Sequence, residues 1–395
     1  MRIPPPPCSV DPYDPAFQDD PYPTYAKLRE DSPVLRLTEP DVWLLSRHED
    51  VNAALRSPAD FSSAFGIAFG RSGGVGSLIA TDDPEHGRLR KILSRQFTPR
   101  SIAALETQVR EVVAALTHDL PSTGVFDFVA AFAAPLPTRM IALYLGIDPE
   151  RWRDYKRWSD VLNEISWARE PSPELGAAAM TAVQEALGFF AAEIAARRTA
   201  PKEDLIGRLT SPEAGLSDDE IINFCVLLML AGNVTTSSVL SHAVMLLLSH
   251  PDQLALLRAD PTLIDAAVEE VVRLESPIQG FVRTLTGDVV LHGQTLAAGE
   301  QVMLLFGAAN RDARVFSEPE KFDVTRDASG HVAFGAGPHF CLGSWLARLE
   351  VRVALEMLLP VLVTWRLDPA HPMVRLRSPA FREIAELPVA LAAAP

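Results

Sequence analysis

The sequence predicts a mainly α-helical protein with a small β portion, folded as one domain over residues 1–395. Three observations carry that reading. The stretch from Ser217 to His250 is free of proline and reads as one helix, about 34 residues or roughly 50 Å long at the usual rise. A helical pattern also runs from Pro84 to about Arg198. No internal repeat and no Pro/Gly/Ser linker divides the 395 residues, and a chain of that length can bury a large core.

In chain order, the Pro-, Asp- and Tyr-rich N-terminus reads as irregular. Val34–Leu37 and Val42–Leu45 read as short strands within a β-rich part at about 30–60 and 280–306. Residues 61–83, FSSAFGIAFGRSGGVGSLIATDD, hold five glycines and read as a long mobile loop. Loops that long in a compact protein are usually functional lids. The helical core spans 84–275 and 334–360, with breaks near Pro99, Pro121, Pro149 and 171–173. Ser217 and Glu220 form a capping-box pattern at the start of the long helix, and Pro251 marks its end. That helix is apolar nearly all round, which implies burial. A helix over Pro261–Leu274 follows, then strands at Val289–Leu291 and Gln301–Leu305. Residues 310–333 read as irregular, 344–359 as a helix, and the end as a short β tail.

Bulk properties exclude several classes. The net charge of −15 argues against nucleic acid as a partner, because phosphate binding needs a basic face. The start of the chain is too Pro-rich and polar for a signal peptide or anchor. The longest apolar run, about Val226 to Gly232, falls far short of the ~20 residues of a spanning helix. A cytoplasmic, monomeric protein without membrane contact is expected. Cys8, Cys225 and Cys341 show neither disulfide-framework nor zinc-site spacing.

The informative stretch is FGAGPHFCLG, 334–343. A thiolate is a strong, soft metal ligand. One thiolate without Cys or His partners at zinc-like spacing leaves few choices, and haem iron held by one axial cysteine is among them. Gly335 and Gly337 permit a tight turn with positive φ. Gly343 removes a side chain where the next helix would press on a flat macrocycle. Cys341 lies just before that helix, whose N-terminal partial charge favours a thiolate. Phe334 is placed to shield the sulfur and His339 to donate to a propionate. A buried free cysteine in a glycine turn is the plainer alternative for any lone cysteine.

FGAGPHFCLG resembles the haem-binding loop of the cytochrome P450 family at every fixed position, and LARLE (346–350), with Ala347, resembles the helix that follows it. Glu270-Val-Val-Arg273 resembles the family's Glu-x-x-Arg, a buried lock beneath the haem. Its third member usually comes from a Pro-Glu-Arg-Phe-like segment. Here that segment is PEKF (319–322), with Lys321 in the arginine position; lysine lacks the planar fork, so a looser lock or another residue is expected. DDPEHGRLRK (82–91) resembles the family's haem-edge helix and places His86 and Arg90 on one face toward a propionate. Arg283 matches another propionate-binding position. The resemblance covers nearly the whole chain. It implies the triangular helical fold around haem b, and monooxygenase chemistry: one atom of O2 enters the substrate and the other becomes water.

The long helix contains LAGNVTTSS (230–238). The family usually reads Ala/Gly-Gly-x-Asp/Glu-Thr-Thr there. Ala231, Gly232, Thr235 and Thr236 match, and Asn233 fills the variable position. Val234 stands where the acid that helps deliver protons is usual. An amide at Asn233 points about 100° away and does not shuttle protons like an acid. The options are relay by water or substrate, leakage of peroxide, or chemistry other than plain hydroxylation (peroxide-using, coupling or dehydrating). A non-catalytic haem-binding protein is a further alternative.

By the same resemblance, substrate contacts come from Phe65, Ile67 and Phe69, from residues 160–185, from Leu230, Ala231 and Val234, from Ile278 and Phe281, and from Phe381. Most are apolar, which suits a steroid, terpenoid or polyketide. Arg71 is the one cation of the glycine loop. Electrons from NAD(P)H must arrive through a separate ferredoxin, or flavodoxin, and its reductase. Arg88, Lys91 and Arg95 share a helix face and are expected to steer that acidic partner to the cysteine side.

Overall fold

The computed structural model describes residues 10–70 and 77–391. Its largest sheet has five strands in the order Val34–Thr38, Asp41–Leu45, Gln301–Leu305, Gly280–Leu285, Phe61–Ser62. The first pair is antiparallel, Val34 facing Leu45. The next is parallel, Trp43 facing Val302, and joins segments far apart in sequence. Side chains alternate between the two faces, as a pleated strand requires. One face buries Trp43, Leu45, Val302 and Leu304 against Val51 and Leu55 of the helix His48–Arg56. The other buries Leu44, Val282, Met303 and Leu305 with Tyr25, Leu28 and Trp167. Both faces are therefore covered.

The long helix runs Asp218–Ser249 and carries the expected capping box. The Ser217 N–H donates to the Glu220 carboxylate at 2.7 Å, and the Glu220 N–H donates to Ser217 Oγ at 3.2 Å. Against this helix pack Pro135–Leu145, Trp152–Trp167 and Pro173–Thr199, together with Ile264–Leu274 and Ser344–Leu362. By length and apolarity Pro173–Thr199 and Asp218–Ser249 would each suffice to cross a bilayer. Both instead turn apolar residues into the main core, among them Ala182, Phe190, Leu240 and Leu247.

Several element readings change. Pro251 does not merely end the long helix; it opens another, Pro251–Ala259. Pro99 likewise opens Pro99–Ala103, capped by Thr98. Proline is at home in a first turn, whose N–H groups have no intrahelical acceptor. A strand at Val125–Asp127 interrupts the stretch read as helical, paired with Pro388–Leu391 at the far end of the chain. Three residues carry too little alternation to reveal it. The helix after the cysteine continues to Leu362 with Pro360 inside it. The 61–83 stretch holds a two-residue strand and a short turn of helix, Leu78–Ala80. Cys8 and Arg71 lie outside the described residues.

Candidate active site

The cysteine loop is built by backbone constraint. Gly335 and Gly337 have φ of 71° and 65°, the left-handed region open to glycine. A Cβ on Gly337 would also meet the Leu55 carbonyl oxygen at 2.5 Å. The Cys341 N–H donates to the Phe334 carbonyl at 2.8 Å, which closes the loop. Cys341 is half-buried. Burial pushes its thiol up; the Gly343 N–H, the Arg90 and Arg348 guanidiniums and the Ser344 N–H pull the other way. These are the groups that hold charge on a ligating sulfur. Phe334 carries the Arg348 guanidinium 4.3 Å above its ring. A Cβ on Gly343 would meet nothing within 4 Å, so the start of that helix is uncrowded. Ala347 is half-buried one turn further on, its N–H on the Gly343 carbonyl.

Beside the loop lies a cluster of two histidines and an arginine, with the Asp82 and Asp83 carboxylates near it. His86 is 3% exposed, and its Nε2 has no hydrogen-bond partner. Its ring lies 4.1 Å from that of His339. Burial, then the neighbouring His86 and Arg283, lower His339 to about 3. Arg283 is buried, donates to the Val282 carbonyl, and is lowered by burial to about 10. Asp82 and Asp83 offset part of this positive set, and a further carboxylate among them would give the orphaned nitrogen a partner. Arg90 donates to the Phe340 carbonyl at 2.6 Å and lies near enough to His86, His339 and Cys341 to act on all three electrostatically. The single cysteine, the uncrowded Gly343 and this histidine–arginine cluster fit an iron porphyrin with its carboxylate edge.

The lock behind the loop is complete, but not through the Lys321 side chain. Arg273 donates twice to Glu270, at 2.7 and 2.9 Å, and both are fully buried. Arg326 supplies the third member, its Nε 3.0 Å from Glu270 Oε1. Lys321 is exposed and joins the lock through its carbonyl, which accepts from both Arg326 and Arg273. The signal was a second arginine five residues beyond the expected position. The lock also holds the irregular segment, because Arg273 donates to the Asn310 and Pro319 carbonyls.

On the long helix, Ala231 is exposed although Asn233 and Val234 are buried. Leu230, Gly232 and Thr235 are half-buried. One face of the helix therefore borders internal space, and the Thr235 hydroxyl donates to the Ala231 carbonyl at 2.8 Å. Val234 is 3% and Thr236 4% exposed. Asn233 does not belong to the oxygen face. It is 1% exposed and bonded to Thr138 and Ser159 on two other helices.

Of the expected substrate residues, Phe69, Phe281 and Phe381 come together around Trp167, with ring centroids 5.5, 6.4 and 6.3 Å from it. The sequence reading had not singled out Trp167. It ends the helix Trp152–Trp167 and is buried at the centre of this aromatic cluster. The Ile67 carbonyl accepts from the Val282 N–H, and Ile278 bridges Phe381. Phe65 is 44% exposed. On the opposite, cysteine side, Arg88 is held by Glu85 and Glu220, so it is not a free docking charge. Lys91 and Arg95 are exposed and unpaired among the described residues. Phe340 and Trp345, beside the cysteine, are 38% and 49% exposed.

A lone cysteine with backbone donors, beside a cluster that suits a carboxylate, matches the chemistry of a haem held by cysteine. Comparison with known proteins gives the family: the chain belongs to the cytochrome P450 family, mainly helical proteins that act as monooxygenases. The family's sequence profile, described as Cytochrome P450, matches residues 178–361. The vitamin D(3) 25-hydroxylase of Pseudonocardia autotrophica is 39% identical over 364 residues, covering 87% of this chain and 86% of that protein. The 6-deoxyerythronolide B hydroxylase of Saccharopolyspora erythraea is 36% identical over 399 residues, covering 95% and 97%. The crystal structure of CYP109E1 from Bacillus megaterium with corticosterone superposes with a TM-score of 0.86 at 32% identity, covering 96% and 100%.

Proposed function

We propose that the protein oxygenates a lipophilic small molecule of steroid, terpenoid or polyketide type, in the cytoplasm, with electrons from NAD(P)H delivered by a ferredoxin, or flavodoxin, and its reductase. The apolar collar of Phe69, Trp167, Phe281 and Phe381 carries this reading. Large flat rings and hydrocarbon suit such walls. Relatives that hydroxylate vitamin D(3) and 6-deoxyerythronolide B, and a neighbour that holds corticosterone, support it.

Haem, when bound, activates O2 for transfer of one atom. This chain's residues set the conditions. Cys341 would hold the iron, and the Gly343 and Ser344 N–H groups keep charge on its sulfur. His86, His339 and Arg283 would hold the carboxylate edge. Ala231, exposed on the long helix, would leave room beside it, whereas Gly232 admits Ile141 of a neighbouring helix. The Thr235 hydroxyl, now on the Ala231 carbonyl, is placed to hold a water in that room. Val234 can neither take nor give a proton, so protons must come by water or from the substrate. That observation favours a second reading, a peroxide-using, coupling or dehydrating enzyme.

The test is spectral and kinetic. The reduced holoprotein with carbon monoxide should show the strongly red-shifted band of thiolate-bound haem. Steroids and macrolactones are then titrated for spin-state shifts, and each binder is tested for NADPH consumption with surrogate ferredoxin and reductase. Consumption tied to an oxygenated product supports monooxygenation. Product formed only with added peroxide favours the second reading.

A further inference from the structure

We propose that Asn233 is a positioning residue: it ties the oxygen-side turn of the long helix to the helix Trp152–Trp167 through Ser159, so that the seat of the second helix sets the seat of Thr235. The inference rests on the monooxygenase reading of that turn.

An amide in the middle of an apolar helix needs a reason, because a buried polar group is costly unless hydrogen-bonded. Asn233 is satisfied at both ends. Its Nδ2 donates to Ser159 Oγ at 2.7 Å, and its Oδ1 lies 2.7 Å from Thr138 Oγ1, whose single proton is shared between that amide oxygen and the Ala134 carbonyl at 2.8 Å. The Ser159 hydroxyl donates onward to the Lys156 carbonyl at 3.0 Å. Three helices are thus joined by short bonds between residues at most 2% exposed.

Shape alone does not fix this level. A small cavity lies beside the amide, lined by Thr138, Ile141, Tyr155 and Met229. Apolar packing is incomplete there, and directional bonds decide the register. One residue earlier the helices touch closely: a Cβ on Gly232 would meet Ile141 Cδ1 at 2.2 Å. The turn therefore has a contact on one side and two hydrogen bonds next to it.

Asn233 and Thr235 occupy nearly opposite faces of one turn. A helical turn moves as a unit, so whatever displaces the amide displaces the hydroxyl. The helix that holds Ser159 ends in Trp167, which closes the aromatic collar. A molecule wedged into the collar pushes on the helix to which Asn233 is tied. Occupancy of the collar and placement of Thr235 are then linked through one hydrogen bond.

The experiment compares wild type, Ser159→Ala, Asn233→Leu and the double variant as holoproteins by amide hydrogen exchange. Residues 230–238 are read against 351–359, and peroxide released per NADPH is measured with surrogate partners. Exchange in 230–238 should rise about tenfold in Ser159→Ala, the scale of one buried hydrogen bond. The double variant should be no worse than Asn233→Leu, and peroxide release should rise in step. Unchanged exchange in Ser159→Ala would overturn the proposal. So would an equal rise in 351–359, which marks general loosening, or single effects that simply add. If Asn233→Leu fails to fold with haem, Ser159→Ala alone decides. Failure of the monooxygenase reading shows separately, as a wild type without the thiolate band.

Discussion

Around Cys341, ten consecutive residues, two positive-φ glycines and one closing hydrogen bond build the ligand loop. Around Trp167, the glycine loop, the strand Gly280–Leu285, a C-terminal turn and a helix converge, and few of their residues lie near one another in sequence. The difference has a physical origin. Holding a metal ligand imposes the same backbone geometry whatever the substrate. Recognising a particular molecule imposes shape, and shape can be assembled from many segments. The cysteine side should therefore break at single residues, whereas the oxygen side should drift.

The largest break is expected at the lock. Arg326→Ala leaves the buried Glu270 carboxylate with one guanidinium instead of two and frees the Ser317 carbonyl that Arg326 now holds. Losing one partner of a buried ion cluster costs about 3 kcal/mol. Thermal unfolding and haem content should both fall sharply. Lys321→Ala, at the position that sequence pattern favours, should change stability by less than about 0.5 kcal/mol, as exposed sites do. Equal effects from the two substitutions would return the lock to Lys321.

On the oxygen side the expected effect is smaller and concerns yield. Val234→Glu puts a carboxylate at the position where a proton donor is usual. The share of NADPH electrons recovered in product should change several-fold, within the range of one acid–base group, with folding little altered. An unchanged share would mean that water or substrate already carries the protons well enough for Val234 to be neutral.

Docking tests the cysteine face from outside. Lys91→Glu with Arg95→Glu should slow reduction by an acidic ferredoxin about tenfold at low salt, and less as salt rises. Arg88→Glu acts differently, because Arg88 already serves Glu85 and Glu220. Its main expected effect is on stability. Equal slowing by all three would show that the ion pair does not withdraw Arg88 from the docking field.

What the sequence revealed follows the same division. FGAGPHFCLG, the capping box at Ser217 and the pair Glu270–Arg273 were legible because their partners are local, within ten, three and three residues. Arg326 was missed because the lock can be closed from any loop that reaches it. The strand Val125–Asp127 was missed because its partner lies at the other end of the chain. Asn233 was grouped with the oxygen residues by adjacency, yet helix geometry turns it to Ser159 and Thr138. Trp167 carried no motif; only three-dimensional packing makes it the centre of a collar.

Glu383 offers the finest probe of the oxygen side, since it follows Phe381 by two residues in the strand Glu383–Glu386. Burial raises its carboxyl to about 7, opposed by Lys156 and reinforced by Asp160. Those two residues belong to the same helix as Ser159 and Trp167. A carboxyl raised above its unfolded value binds more protons when folded, so stability falls as pH climbs from about 4.5 to about 7. Glu383→Gln removes that titration. The variant should match or trail the wild type at pH 5 and exceed it at pH 8, by about 1–2 °C in Tm. If the gap does not change between those pH values, the Glu383 carboxyl is already solvated, and the junction between the collar turn and the Trp152–Trp167 helix is open to water rather than dry. The apolar character inferred for that end of the pocket would then stop at Phe381.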